Sequence, residues 1–221
     1  MQQRLVAIGD SITLGHWDPE GGWVAQIRRV ADEEVVATRR ERYRAVYNLG
    51  VSSNTSADVL ARYPHEVSAR FPGTPETGSA KEEAFVVLAV GINDSQLKDG
   101  RELVGIAEYR ENMKAIIRQG LELGHRIVVV GLTGVLEELT DPVGWDTTKA
   151  YRNERIAEFD SVVAALAQEH DLPFADLFSV SEFQASSFHL DWDGLHLNPQ
   201  GHQRVATVVE GALGEAGWRA R

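Results

Sequence analysis

Two runs of apolar residues most constrain the fold of this chain of 221 residues: FVVLAV at 85–90 and RIVVVG at 126–131. Both runs are rich in valine and lack the alternation of polar and apolar residues, which is typical of parallel strands buried on both faces. Parallel strands are joined by crossover connections, and these place helices on the faces of the sheet. The sequence therefore indicates an α/β fold around a parallel sheet.

Strand-like and helix-like patterns alternate along the rest of the chain, which supports this fold class. The predicted strands lie at 4–9, 44–50, 84–90, 126–131 and 173–177. The predicted helices lie at 22–36, 55–70, 102–123, 148–170 and 199–214. We predict a three-layer α/β/α sandwich whose central parallel sheet has the flavodoxin-like strand order 2-1-3-4-5.

Composition narrows the classes of protein to consider. The length suits one domain over residues 1–221, and no apolar run reaches the roughly 20 residues that span a membrane. The net charge of −11 disfavours nucleic acid as a partner, and the absence of cysteine excludes disulfides, thiolate metal sites and a cysteine nucleophile. With no signal-peptide pattern at the N-terminus, we expect a cytoplasmic protein.

Polar residues follow three of the predicted strands, where buried apolar runs stop abruptly. GDS at 9–11 follows the first strand, NLGVS at 48–52 the second and GIND at 91–94 the third. A further polar cluster, DWDGLHLNPQGH at 191–202, precedes the last helix. Because the carboxyl ends of parallel strands share one edge of the sheet, we expect these segments to converge there.

The residue types at this edge match the needs of acyl transfer. A serine hydroxyl needs an adjacent base, and the base needs a third group to orient it. We predict Ser11 as the nucleophile, His196 as the base and Asp193 as the partner that fixes the histidine tautomer. The backbone N–H groups of Ser11 and Gly50 and the side-chain amide of Asn93 are the predicted donors to the oxyanion.

Four segments in order resemble the GDSL esterases and lipases, also called SGNH hydrolases. These segments are GDSITLG, NLGVSSNTS, GINDS and DGLHLNPQGH, and they span nearly the whole chain. Ile12 stands where leucine is commonest in the family. The resemblance implies Ser11 as nucleophile, Gly50 and Asn93 as oxyanion donors, and His196 with Asp193 as base and partner. It also implies the three-layer α/β/α fold.

Other interpretations of the same residues stay open from the sequence. Ser11 could be a helix N-cap, Asn93 a turn residue, and Ser95 is a second candidate nucleophile. A metal site is the rival interpretation of the last cluster, because several possible ligands lie close together in the sequence. These are His189, Asp191, Asp193, His196 and His202.

The predicted function is hydrolysis of a small-molecule carboxylic ester through an acyl-enzyme, with no metal and no cofactor. Acyl transfer to an alcohol and a non-catalytic binding domain are the alternatives, whereas a nucleotide binder would require a phosphate-binding glycine loop. We expect His16, Trp17 and Asp18 at the rim of the pocket. We expect the loop 132–147 to form one wall and to restrict the acyl group to short chains. Its candidate apolar residues are Val135, Leu136, Leu139, Val143 and Trp145.

Overall fold

The computed structural model describes residues 2–71 and 82–218, which form alternating strands and helices. The strands are β1 (Gln2–Gly9), β2 (Tyr43–Gly50), β3 (Glu82–Ala89), β4 (Leu97–Lys98), β5 (Arg101–Glu102), β6 (Arg126–Val130), β7 (Lys149–Ala150) and β8 (Phe174–Ala175). The helices are α1 (Ser11–Leu14), α2 (Gly22–Ala37), α3 (Ser56–Arg70), α4 (Ile106–Glu122), α5 (Glu137–Thr140), α6 (Asn153–Glu169) and α7 (Pro199–Ala216).

The central sheet has five parallel strands in the order β2-β1-β3-β6-β8. This confirms the flavodoxin-like order 2-1-3-4-5 predicted for the five main strands. Gly9 at the end of β1 pairs with Gly50 of β2 and with Ala89 of β3. The three strands therefore end level with one another, and the loops that follow them begin side by side.

Successive residues of β1 point to opposite faces of the sheet, and each face carries its own buried layer. Val6 and Ile8 pack in a cluster with side chains of α3, α4 and α6. Leu5 and Ala7 pack in a second cluster with side chains of α2 and α7. Burial on both faces is the reason that these strands read as continuous apolar runs, and it confirms the three-layer α/β/α sandwich.

A second, small antiparallel sheet in the order β5-β4-β7 was not predicted. Because β5 and β7 overlap the predicted starts of two helices, these helices begin later than predicted. Helix α4 begins at Ile106 rather than 102, and α6 begins at Asn153 rather than 148. Asp99 and Gly100 join β4 to β5 with φ angles of 51° and 72°, which is the left-handed backbone of a two-residue hairpin turn. Strands of two residues are too short to show a period of two in the sequence.

The predicted connection at 71–80 lies, beyond Phe71, outside the described residues. Among the helices that the structure describes, none combines the length and the apolar character that crossing a membrane requires.

Candidate active site

Ser11 lies at the sharp turn between β1 and α1, directly at the carboxyl edge of the sheet. A Cβ at Gly9 would lie 1.9 Å from the carbonyl oxygen of Ala89, so the strand can end here beside β3 only with glycine. Asp10 caps α1, since its Oδ1 accepts from the backbone N–H of Ile12 at 2.9 Å. The turn thus holds the Ser11 side chain at the end of the strand.

Ser11, His196 and Asp193 form one continuous chain of hydrogen bonds. Ser11 Oγ lies 3.0 Å from His196 Nε2, and His196 Nδ1 lies 2.7 Å from Asp193 Oδ2. Asp193 is fully buried, and its other oxygen accepts from the backbone N–H groups of Leu195 at 2.7 Å and His196 at 2.9 Å. The polar cluster at 191–202 and the end of the first strand therefore meet, as their positions in the sequence predict.

The surroundings of Asp193 favour its charged form. Burial opposes ionisation, but the hydrogen bond and charge of His196 and the two backbone donors outweigh it, so the pKa of Asp193 is lowered. An ionised carboxylate only accepts hydrogen bonds, so the proton of neutral His196 resides on Nδ1. Nε2 is then free to accept the proton of Ser11, which is the arrangement required for general-base catalysis.

Asn93 reaches the same site from the loop after β3, with its amide orientation fixed on both sides. Its Nδ2 donates to the carbonyl of Asn54 at 3.0 Å, and its Oδ1 accepts from the hydroxyl of Tyr151 at 3.2 Å. The neighbouring Asp94 anchors the loop by accepting from the backbone N–H and the hydroxyl of Ser56. The second hydrogen of the Asn93 amide remains available to a ligand.

Gly50 does not line the site, which differs from the sequence-based expectation. Its N–H donates to Asn48 Oδ1 at 2.8 Å, so the predicted oxyanion donor is already engaged. A Cβ at Gly50 would lie 2.2 Å from the backbone nitrogen of Leu14. The glycine at this position therefore permits the close approach of α1 to the end of β2.

Ser53, which is not among the predicted site residues, lines the cleft from the loop after β2. It has a left-handed backbone with a φ of 65°. No described residue accepts a hydrogen bond from the backbone N–H of Ser53 or of Ser11. Arg62 holds this loop against β1, since it donates to Asn54 Oδ1 at 2.7 Å and to the Gly9 carbonyl at 2.9 Å. Nothing in the sequence distinguishes a serine with this backbone from its neighbours.

The cleft above Ser11 has a volume of about 380 Å³ and an aromatic rim. Trp17, with a φ of 65°, lies 4.6 Å from the ring of His196 and 4.9 Å from the ring of Trp192. Its ring is 6.4 Å from that of Trp145. An aromatic residue in the left-handed region is strained, and such strain is common at functional sites.

The expectations for the rim hold for two of its three residues. His16 and Trp17 line the cleft, whereas Asp18 is buried away from it and accepts from the backbone N–H of Gly22 at 3.0 Å. Ser52 also lines the cleft, and its hydroxyl lies 3.4 Å from His16 Nδ1.

The loop at 132–147 contributes less apolar surface to the cleft than expected. Val135, Leu136 and Val143 are buried in the protein core, and of the five apolar residues only Trp145 lines the cleft. Leu139 is half-buried and lies outside the cleft lining. The wall that this loop forms is therefore short, and it is made by one tryptophan.

Three of the other candidate residues, Ser95, His189 and Asp191, do not line this cleft. Ser95 is fully buried, and its hydroxyl donates to the carbonyl of Ile92 at 2.8 Å. His189 Nε2 donates to the carbonyl of Gly134 at 2.9 Å, while Asp191 is exposed. Across residues 2–71 and 82–218, no three His, Cys, Asp or Glu side chains are arranged to hold a metal ion.

His202 is buried, and neither ring nitrogen has a hydrogen-bond partner among the described residues. Burial lowers its pKa to about 4, although the charge of Asp18 acts in the opposite direction. The unfolded chain takes up this proton near the ordinary histidine pKa of about 6.5. The stability that neutral His202 contributes is therefore present above about pH 6.5 and is lost as the pH falls towards 4.

We expect the difference in unfolding free energy between wild type and His202→Gln to fall by about 2 kcal/mol from pH 7 to pH 5. Urea denaturation at both pH values measures it. Burial raises the pKa of Asp10 to about 7, so this group changes the unfolding free energy with pH in the opposite direction. Both proteins contain Asp10, so its effect cancels in the difference between them. The exposed His65, changed to Gln, is the control and should show no such trend. A difference that does not vary with pH would contradict the burial of a neutral histidine.

A serine, a histidine and a buried aspartate joined at the carboxyl edge of a parallel sheet are characteristic of hydrolases that cleave acyl bonds. The sequence matches the GDSL-like lipase/acylhydrolase family over residues 7–204. The chain belongs to this family and is an ester hydrolase of the GDSL, or SGNH, type. The resemblance seen in the four sequence segments is therefore confirmed.

Named relatives cover nearly the whole chain. It is 24% identical to the acetylxylan esterase of Geobacillus stearothermophilus, with 99% of this chain and 97% of the relative aligned. It is 25% identical to the human isoamyl acetate-hydrolyzing esterase 1 homolog, with 90% of this chain and 77% of the relative aligned. The crystal structure of a lipase/acylhydrolase from Enterococcus faecalis has the same fold, with a TM-score of 0.72 at 24% identity, over 98% of this chain and 96% of that one.

Proposed function

We propose that this protein hydrolyses carboxylic esters of short acyl groups through an acyl-enzyme on Ser11. The observation that carries the proposal is the unbroken hydrogen-bond chain from Ser11 Oγ through His196 to the buried Asp193. His196 Nε2 takes the hydroxyl proton as Ser11 Oγ attacks the ester carbonyl, and it returns the proton to the leaving alcohol. Water, deprotonated by the same histidine, then releases the acid. Asp193 stabilises the imidazolium that forms in both steps.

The mechanism also requires hydrogen-bond donors that stabilise the oxyanion formed from the ester carbonyl. The free amide hydrogen of Asn93 and the unengaged N–H of Ser11 are two donors at the cleft. Gly50 could donate to the oxyanion only after losing its hydrogen bond to Asn48. We therefore assign the role of third oxyanion donor to the backbone N–H of Ser53. Asn93 donates to Asn54, the residue after Ser53, which supports this choice because it brings the amide beside that loop. The mechanism needs no metal and no cofactor.

The size of the acyl group follows from the walls of the cleft. Outside the aromatic rim, the cleft lining has two apolar side chains, Leu103 and Leu195, and the polar side chains include Gln96, Lys98 and Lys149. A long acyl chain would leave most of its methylenes unburied there. The names of both curated relatives refer to acetate esters, and this supports a short acyl group here as well.

We expect kcat/KM for p-nitrophenyl acetate and butyrate to exceed that for the decanoate at least about tenfold. A decanoyl chain must avoid Trp145 at the wall of the cleft, and its methylenes that stay in water gain none of the about 0.8 kcal/mol that each contributes when buried. Trp145→Ala should reduce this preference with little effect on stability, since Trp145 is 48% exposed and lines the cleft. Trp192→Ala is the control, because Trp192 is exposed on the same rim but does not line the cleft.

A preference of the wild type for the decanoate would contradict the short pocket. Analysis of the products with an added alcohol separates hydrolysis from acyl transfer. Free acid as the main product supports the proposal, whereas a new ester as the main product would assign the site to acyl transfer.

A further inference from the structure

The small antiparallel sheet carries a row of cations on one face. Lys98 of β4 pairs directly with Arg101 of β5 on one side and with Lys149 of β7 on the other. Directly paired residues of antiparallel strands point to the same face, so these three side chains lie next to one another. We call them the cation row.

The cation row is unfavourable without an anion nearby, because like charges directly opposite one another destabilise a sheet. Within residues 2–71 and 82–218, one carboxylate lies within ion-pair distance of the row, namely Asp146 at 3.4 Å from Lys149. Such a concentration of positive charge also contrasts with the net charge of −11 of the whole chain. The row is therefore a local site of attraction for anions.

The opposite face of the small sheet carries no lysine or arginine. Leu97 pairs there with Glu102 on one side and with Ala150 on the other, and Glu102 accepts from Arg155 of α6 at 2.7 Å. The three cations therefore share one face, and Lys98 and Lys149 on that face line the cleft that contains Ser11.

The cation row is also joined to the oxyanion side of the cleft. Tyr151 follows β7 directly, and its hydroxyl donates to Asn93 Oδ1 and lies 2.9 Å from Gln96 Oε1. Gln96 immediately precedes β4. A ligand that reaches from Asn93 along Tyr151 and Gln96 therefore arrives at Lys98 and Lys149.

We propose that the cleft selects esters bearing a negatively charged group, such as a carboxylate, at the end remote from the scissile bond, and that Lys98 and Lys149 bind this group. The inference rests on the proposed ester hydrolysis at Ser11. It adds that the substrate carries a negative charge, which neither the serine site nor the fold determines.

Two matched pairs of esters test the proposal and identify the side of the ester that carries the charge. Monoethyl adipate against ethyl hexanoate places the carboxylate on the acyl side, and γ-acetoxybutanoate against butyl acetate places it on the alcohol side. The measured quantity is the ratio of kcat/KM for the anionic ester to that for its neutral partner. The double variant Lys98→Gln, Lys149→Gln is compared with wild type.

We expect the ratio to fall about tenfold in the double variant for one of the two pairs, mainly through a higher KM. Added salt should lower the ratio of the wild type, since it screens exposed charges. Lys114→Gln is the control: this lysine lies on α4 beside Glu169, outside the cleft lining, and the ratio should not change.

Ratios that stay unchanged in the double variant for both pairs would overturn the proposal, and would mean that the lysines are merely solvated. If butyl acetate is hydrolysed normally in that case, the ester-hydrolase function stands and only the charge requirement fails. If no ester of either pair is hydrolysed by the wild type, the proposed function fails, and this inference fails with it.

Discussion

Ser11→Ala is expected to lower kcat/KM for a short-chain ester by about 10⁴-fold or more, as loss of the nucleophile does in serine triads. Without Oγ no acyl-enzyme can form, and only the oxyanion donors and binding contacts remain to favour the reaction. The free energy of unfolding should change by less than about 1 kcal/mol, because Asp10, and not Ser11, caps α1. Ester hydrolysis and urea denaturation of the same preparation measure both quantities.

Ser95→Ala is the matched control for this change. Its hydroxyl donates to the buried carbonyl of Ile92, so its removal should cost about 1 kcal/mol of stability and leave the activity of the folded protein nearly unchanged. If Ser11→Ala kept most of its activity while Ser95→Ala lost it, the nucleophile would be misassigned.

Asp193→Asn is expected to lower kcat by about 10⁴-fold while the fold is retained. Asp193 Oδ1 accepts from the N–H groups of Leu195 and His196, and the asparagine oxygen should keep this place. The amide NH₂ would then face His196 Nδ1, which must accept from it. The ring proton moves to Nε2, and His196 can no longer accept the proton of Ser11.

Asp191→Asn provides the control, since Asp191 is exposed and two residues away in the same loop. Its activity should stay within about threefold of the wild type, as expected for a surface substitution. The measurement is the steady-state kcat of both variants on the same ester. If Asp191→Asn were the more damaging change, the wrong carboxylate would have been assigned to His196.

The fold and the convergence of the main site residues follow from the sequence for one physical reason. The sheet is buried on both faces, so its strands appear as uninterrupted apolar runs and their ends are marked by polar residues. Because parallel strands end at one edge, Ser11 and Asn93 had to lie near each other. His196 could be placed by the length of its loop and by the chemistry that a serine nucleophile requires.

The parts that could not be predicted depend on individual side-chain contacts. Asn48 Oδ1 accepts from the N–H of Gly50 two residues along the chain, and Arg62 binds Asn54 in the loop where Ser53 has a left-handed backbone. Neither contact leaves a periodic pattern in the sequence. Similarly, Val135 and Val143 lie in a loop that reads as a pocket wall, yet they fill the protein core.

The role of Ser11 as nucleophile is tested most directly by the site of covalent labelling with an organophosphonate that carries an ester-like leaving group. Intact-mass and peptide-mapping mass spectrometry locate the adduct, and the loss of activity is followed in parallel. We expect one phosphonyl group per chain, on Ser11, formed in proportion to the loss of activity. An adduct on Ser95 or any other residue, or full inactivation with Ser11 unmodified, would contradict the assignment of Ser11 as the nucleophile.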